Sequence, residues 1–179
     1  MVKKTLNVLF YIMLALYVFM MIDLFFRYNV MFDATRDVSR SLNLVPFKTI
    51  WEYASGSNHL RASFAVSNIL GNIVVFIPFG LFMQAIRKRK TFWAGMLIIL
   101  ISTVVIEVVQ YAFGLGATDI DDVILNTVGG VVGMLVYRLF RIACKNEGRT
   151  KTAITVAALV VGVPIVYLYF TTVFAHLRL

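Results

Sequence analysis

The sequence predicts an all-α, polytopic membrane helix bundle with about five transmembrane helices. Of its 179 residues, 60% are hydrophobic, and the mean hydropathy is +0.86. A soluble domain of this size is nearer half apolar. The apolar residues fall in five uninterrupted stretches, near 6–26, 65–86, 92–113, 121–140 and 153–174. Each is close to the roughly 20 residues that a helix needs to cross hydrocarbon. None alternates with period two over the length of a barrel strand, so helices are the reading. The whole chain, 1–179, reads as a single membrane domain.

The first stretch follows "MVKK". Its apolar core of about 17 residues is longer than a signal-peptide core, and no small-x-small cleavage site follows. It reads as a retained anchor. Lysine and arginine then set the orientation. Lys3 and Lys4 precede the first span. Arg87, Lys88, Arg89 and Lys90 separate the second and third. Arg138, Arg141, Lys145, Arg149 and Lys151 separate the fourth and fifth. In a five-span count all of these fall on one side. The loop "GLGATDID" on the other side has no basic residue. The predicted topology is therefore N-terminus in and C-terminus out. The net charge of +8 is mostly accounted for by these flanks, and no nucleic-acid partner is expected. Cys144 is the one cysteine, so no internal disulfide forms. It reads as a spectator thiol in a cytoplasmic basic segment.

The outer segment 27–64 is too long for a turn. Its "NLVPFKTIWEYA" mixes Leu44, Val45, Phe47, Ile50, Trp51 and Tyr53 with a few charges. Trp and Tyr favour the headgroup zone, so a short interfacial or re-entrant element is expected there. The second span carries Asn68, Gly71, Asn72 and Pro78, the proline bending the helix. The third carries Thr103, Glu107, Gln110 and Tyr111 on one stripe. The fourth opens with "DIDDVILN" at Asp119–Asn126. Asp119, Asp122 and Asn126 share a face that continues through Gly129, Gly130, Gly133 and Tyr137. Asp121 is turned about 100° away and reads as helix-end charge facing the positive dipole. Thr118 or Asp119 suits the N-cap. The G129-x-x-x-G133 spacing reads as packing surface.

Polar groups at membrane depth are costly, so their placement is informative. At about 1.5 Å per residue, Asn72 lies roughly 10 Å, Glu107 roughly 9 Å and Asn126 roughly 7 Å below the outer boundary. Three helices thus bring polar groups to one level, while their inner halves hold almost none. An outward-opening polar pocket between the second, third and fourth spans is expected.

No H-E-x-x-H, P-loop or G-x-S-x-G motif is present, and His59 and His176 lie outside the apolar spans. Zinc peptidase, P-loop and serine-hydrolase chemistry are therefore not expected. What remains is oxygen chemistry. Glu107, Asp122 and Asp119 are the candidate catalytic acids, and equally candidate ligands for a divalent cation such as Mg²⁺. Asn68, Asn72, Gln110, Asn126 and Asn43 are candidate binding residues for hydroxyls, amides or amines. Arg40, with Arg61, would meet a phosphate if the outer segment folds over the pocket.

Four blocks carry a resemblance: "NLVPFKTI" (43–50), "NILGNIVVFIPFG" (68–80), "EVVQ" (107–110) and "DIDDVILNTVGGVVG" (119–133). Together and in this order they resemble the VanZ-like family of bacterial membrane proteins. The family pattern maps onto Asn43, Pro46, Phe47, Asn68, Asn72, Pro78, Glu107, Gln110, Asp119, Asp121, Asp122, Asn126 and Gly129. Many members carry an arginine before the acidic block, and "GLGAT" has none. The resemblance implies a family core over about 40–140, with 153–174 as an extra C-terminal helix. It also implies a Gram-positive, multi-pass cell-envelope protein, linked in one branch to teicoplanin resistance. The expected partners are the bilayer itself and an outer-leaflet amphiphile: a lipid-linked wall precursor, a polyprenyl phosphate or a lipoglycopeptide. Whether the site binds or modifies such a molecule stays open, as do a transporter or cation-coupled flippase and a non-catalytic scaffold.

Overall fold

The structure is a computed structural model and describes residues 2–26, 42–55, 62–115 and 118–176. Among them are six helices: α1 (Val2–Phe26), α2 (Lys48–Ala54), α3 (Ala62–Ile86), α4 (Phe92–Phe113), α5 (Ile120–Cys144) and α6 (Glu147–His176). All but α2 are long and apolar enough to cross a membrane. The all-α, five-span reading therefore holds, with spans within a few residues of those expected. The segment 27–64, expected to hold a short element, contains the short helix α2. Arg40 and Arg61 lie outside the described residues.

Two strands of two residues each, β1 (Leu42–Asn43) and β2 (Thr118–Asp119), pair in parallel, with Leu42 opposite Thr118 and Asn43 opposite Asp119. This bridge joins the approach to α2 to the start of α5. The residues before α2 and the α4–α5 loop therefore share one end, as an alternating five-span count requires.

By internal contacts the chain forms two compact units, Met1–Met20 with Tyr137–Leu179 and Met21–Val136. In the first, Phe10 and Ile154 are buried. Lys151 Nζ donates to Asn7 Oδ1 at 2.5 Å and stands 4.4 Å from the centres of both the Phe10 and Tyr11 rings. Its charge is met by a carbonyl dipole and two aromatic faces. Asn146 caps α6, its Oδ1 accepting from the backbone N–H groups of Gly148 and Arg149.

The second unit has a core of Phe25, Phe76, Met83, Ile99, Ile106 and Met134. Its tightest seam joins α3 to α5. A Cβ added at Gly129 would strike the Ile73 carbonyl, one at Gly133 the Ile77 carbonyl, and one at Gly80 the Gly130 carbonyl. Gly130 also faces the Ile99 side chain of α4. Small residues let two backbones approach closely where lipid offers no hydrophobic drive. The packing role expected of Gly129 and Gly133 is thus realised. α3 runs unbroken through Pro78. α4 ends at Gly114, whose φ of 65° supplies the left-handed turn that closes the helix.

Candidate functional site

The acidic stretch divides by partner. Asp119 is the N-cap of α5: its Oδ1 accepts from the Asp121 N–H at 2.9 Å, as an N-cap side chain does at the second helical residue. The same carboxylate accepts from Asn43 Nδ2 at 3.1 and 3.2 Å, and its Oδ2 accepts from Thr49 Oγ1 at 2.5 Å. Asn43 also accepts from the Val45 N–H, a local turn contact typical of Asn.

Asp121 does not face away, as the helical wheel predicted. It is 1% exposed. Its Oδ1 accepts from the Phe47 N–H at 2.5 Å, and its Oδ2 from the Thr49 and Ile50 N–H groups at 2.9 and 3.2 Å. Those donors belong to the first turn of α2, which has no side-chain cap of its own. Asp121 therefore serves a helix end, but that of another helix. A carboxylate suits the site because the N-terminus of a helix presents unpaired N–H groups. The contact also holds Phe47 at φ 63°, a conformation costly for a bulky side chain. The wheel failed because it assumes that the face turned from the helical neighbours meets lipid or water. Here the segment 42–50 covers it.

Asp122 looks elsewhere. Its Oδ1 accepts from Asn72 Nδ2 at 2.5 Å, and the same amide nitrogen donates to Asn68 Oδ1 at 3.1 Å. Glu107 is 4% exposed, and its Oε2 accepts from the Asp119 N–H at 3.1 Å. Glu107 lies within electrostatic reach of Asp122 and Asp119, and Asp122 within reach of Asp119 and Asp121. Asn72 on α3 and Asp122 on α5 thus join by a hydrogen bond, and Glu107 on α4, bonded to the Asp119 N–H, lies within electrostatic reach of Asp122. One turn along the same faces, Asn126 Nδ2 donates to Thr103 Oγ1 at 3.0 Å.

Gln110 is buried with this stripe, but its amide donates to the Phe25 carbonyl at 3.0 Å. It satisfies the otherwise open C-terminal turn of α1. Tyr111, placed on the stripe by spacing, is 40% exposed. Thr49 was not singled out in the sequence. No periodicity marks it; the family pattern includes Phe47 and Asp121, which the structure brings together beside it.

Among the described residues no group of three or more His, Cys, Asp and Glu side chains is placed to hold a metal ion. Asp119 directs its oxygens to amide, hydroxyl and backbone donors. A cation there would have to displace them. The candidate Mg²⁺ reading at Glu107, Asp119 and Asp122 is not developed by this geometry. Bound hydrogen-bond donors suit it better: two carboxylates and two amides from three helices can grip hydroxyl, amide or ammonium groups.

The model of the VanZ/LLP1 family matches residues 8–141. Protein VanZ of Enterococcus faecium is 31% identical over 158 residues, covering 87% of this chain and 89% of the relative. No solved structure matches the chain.

Proposed function

The chain belongs to the VanZ/LLP1 family, and on that premise we propose that it grips the polar headgroup of an outer-leaflet amphiphile. It is a multi-pass membrane protein of a family linked to glycopeptide resistance. The observation that carries the proposal is the meeting of Asn72, Glu107 and Asp122 from three different membrane-spanning helices. Polar groups at such depth face a bundle interior or a wetted cavity and mark ligand sites. In the proposed N-in topology, this level lies in the outer half of the bilayer.

Glu107 and Asp122 accept from the ligand, and Asn72 and Asn68 orient it. The same two carboxyl groups are the candidates for acid/base work if the headgroup is modified as well as bound. The ligands in view are a lipid-linked wall precursor, a lipoglycopeptide and a polyprenyl phosphate. The described side chains favour the first two, which present hydroxyl, amide or amine donors. A phosphate would need Arg40 or Arg61. Holding such a molecule at the cell surface is one route to a contribution to glycopeptide resistance.

The test is binding by the full-length protein in nanodiscs, using a lipid-linked wall precursor, teicoplanin and a polyprenyl phosphate as probes. Saturable binding to at least one is expected. Glu107→Gln and Asp122→Asn should weaken it about tenfold or more, about 1.4 kcal/mol, with unchanged elution on size exclusion. Absence of binding to all three, or full binding by both variants, overturns the proposal.

A further inference from the structure

Asn126 is fully buried, and its Oδ1 has no hydrogen-bond partner among the described residues. Buried carbonyl oxygens are nearly always paired, with protein or with ordered water. The other end of this amide is engaged, since Nδ2 donates to the Thr103 hydroxyl at 3.0 Å. Interhelical glue therefore accounts for the nitrogen and not for the oxygen.

The surroundings say where a donor comes from. Asn126 lies one turn beyond Asp122 on α5, and Thr103 one turn from Glu107 on α4. The next turn is closed: Gly129 abuts the Ile73 backbone, Gly130 the Ile99 side chain, and Gly80 the Gly130 carbonyl. The buried residues beside it on α5, Val123 and Leu125, carry no side-chain donor. The polar stripe thus ends at Asn126 against a glycine floor.

We infer that Asn126 Oδ1 is the acceptor of a terminal subsite, beneath Glu107 and Asp122, for one hydroxyl or ammonium donor of the amphiphile headgroup. Thr103 positions the amide by fixing its nitrogen. The subsite selects sugar or amino-sugar headgroups over a phosphate group, which brings acceptors where an acceptor already stands. This rests on the proposed headgroup site and adds to it the chemistry of its inner end.

The experiment uses the full-length protein in nanodiscs with two simple probes, dodecyl glucosaminide and dodecyl phosphate. The glucosaminide should bind saturably and at least tenfold more tightly than the phosphate. Asn126→Leu, close in shape and without the acceptor, should weaken glucosaminide binding about tenfold and leave phosphate binding unchanged. In the unsubstituted protein, the Asn126 carboxamide carbon should shift in the ¹³C spectrum on adding the glucosaminide. That measurement stands even if the leucine variant does not fold. If the glucosaminide binds, is weakened by Glu107→Gln, yet binds Asn126→Leu equally or leaves the carbon signal unmoved, the terminal subsite is wrong and the headgroup site stands. Equal binding of the two probes also overturns the subsite. If the glucosaminide does not bind, or Glu107→Gln binds it fully, the headgroup reading fails for this class and the subsite fails with it.

Discussion

α5 is fastened at two places by opposite means. Its first turn is tied by hydrogen bonds: Asp119 to Asn43 and Thr49, Asp121 to the first turn of α2. Two turns on, Gly129 and Gly133 are held by close backbone approach to α3, with no polar side chain involved. The first fastening depends on charge meeting open N–H groups, the second on the lack of a side chain. Between the two lie Asp122 and Asn126. Asp122 shares the Asn72 amide with Asn68, and Asn126 keeps one atom without a partner among the described residues. The candidate site thus occupies the stretch that neither fastening completes.

Breaking the polar fastening has the largest expected effect. Asp121→Ala removes the buried carboxylate that accepts from three N–H groups of the part-buried segment 47–50. At about 1 kcal/mol or more for each unmet donor, the loss is about 3 kcal/mol. Thermal unfolding in detergent should show the drop, and limited proteolysis should show new cleavage near 42–55. An Asp121→Ala protein as stable and as resistant as the parent would remove the fastening from the picture. Breaking the close-packed seam is expected to cost less. Gly129→Ala pushes a methyl into the Ile73 carbonyl, and overpacking of this kind costs about 2 kcal/mol. Here the proteolytic pattern at 42–55 should stay unchanged, which separates the two fastenings.

The site between them should respond in function more than in stability. Asp122→Asn is the sharpest contrast with Asp121→Ala, one residue away. It should lose headgroup binding about tenfold, about 1.4 kcal/mol, while thermal stability changes by under about 1 kcal/mol. A variant that loses stability as Asp121→Ala does would make Asp122 part of the fastening. The smallest effect is expected at Phe47. Phe47→Gly relieves a left-handed conformation worth about 1 kcal/mol, so thermal unfolding should move up slightly. A fall would show that the exposed ring contributes more through its apolar surroundings than the backbone loses.

The five spans were legible because span length is set by the bilayer and appears as unbroken apolar runs. Helical rise converts residue number to depth and so directed attention to Asn72, Glu107 and Asn126, but the hydrogen-bond partner of Asn72 is Asp122, and Asn126 lies one turn beyond it, paired with Thr103. The glycine seam was marked by G129-x-x-x-G133. Asp121 was not legible from its own helix. Its partners lie more than 70 residues earlier, and a helical wheel knows nothing of a cover supplied from elsewhere. Tyr111 failed for a related reason. It is 40% exposed although Gln110 beside it in the same last turn is buried, so the covering neighbours reach one side of that turn and not the other. The orphan oxygen of Asn126 is a property of three-dimensional neighbours and has no sequence signal.

The Asp121 cap also imposes an order on biosynthesis. The ribosome releases Phe47, Thr49 and Ile50 long before Asp121 exists. Until the helix beginning at Ile120 enters the membrane, the first turn of α2 lacks the carboxylate that accepts its N–H groups. A nascent chain halted after the helix ending at Phe113 should therefore carry a protease-sensitive 42–55 segment. Extending that chain beyond Asp121 should close the segment, so the earlier loop matures only when the later span arrives.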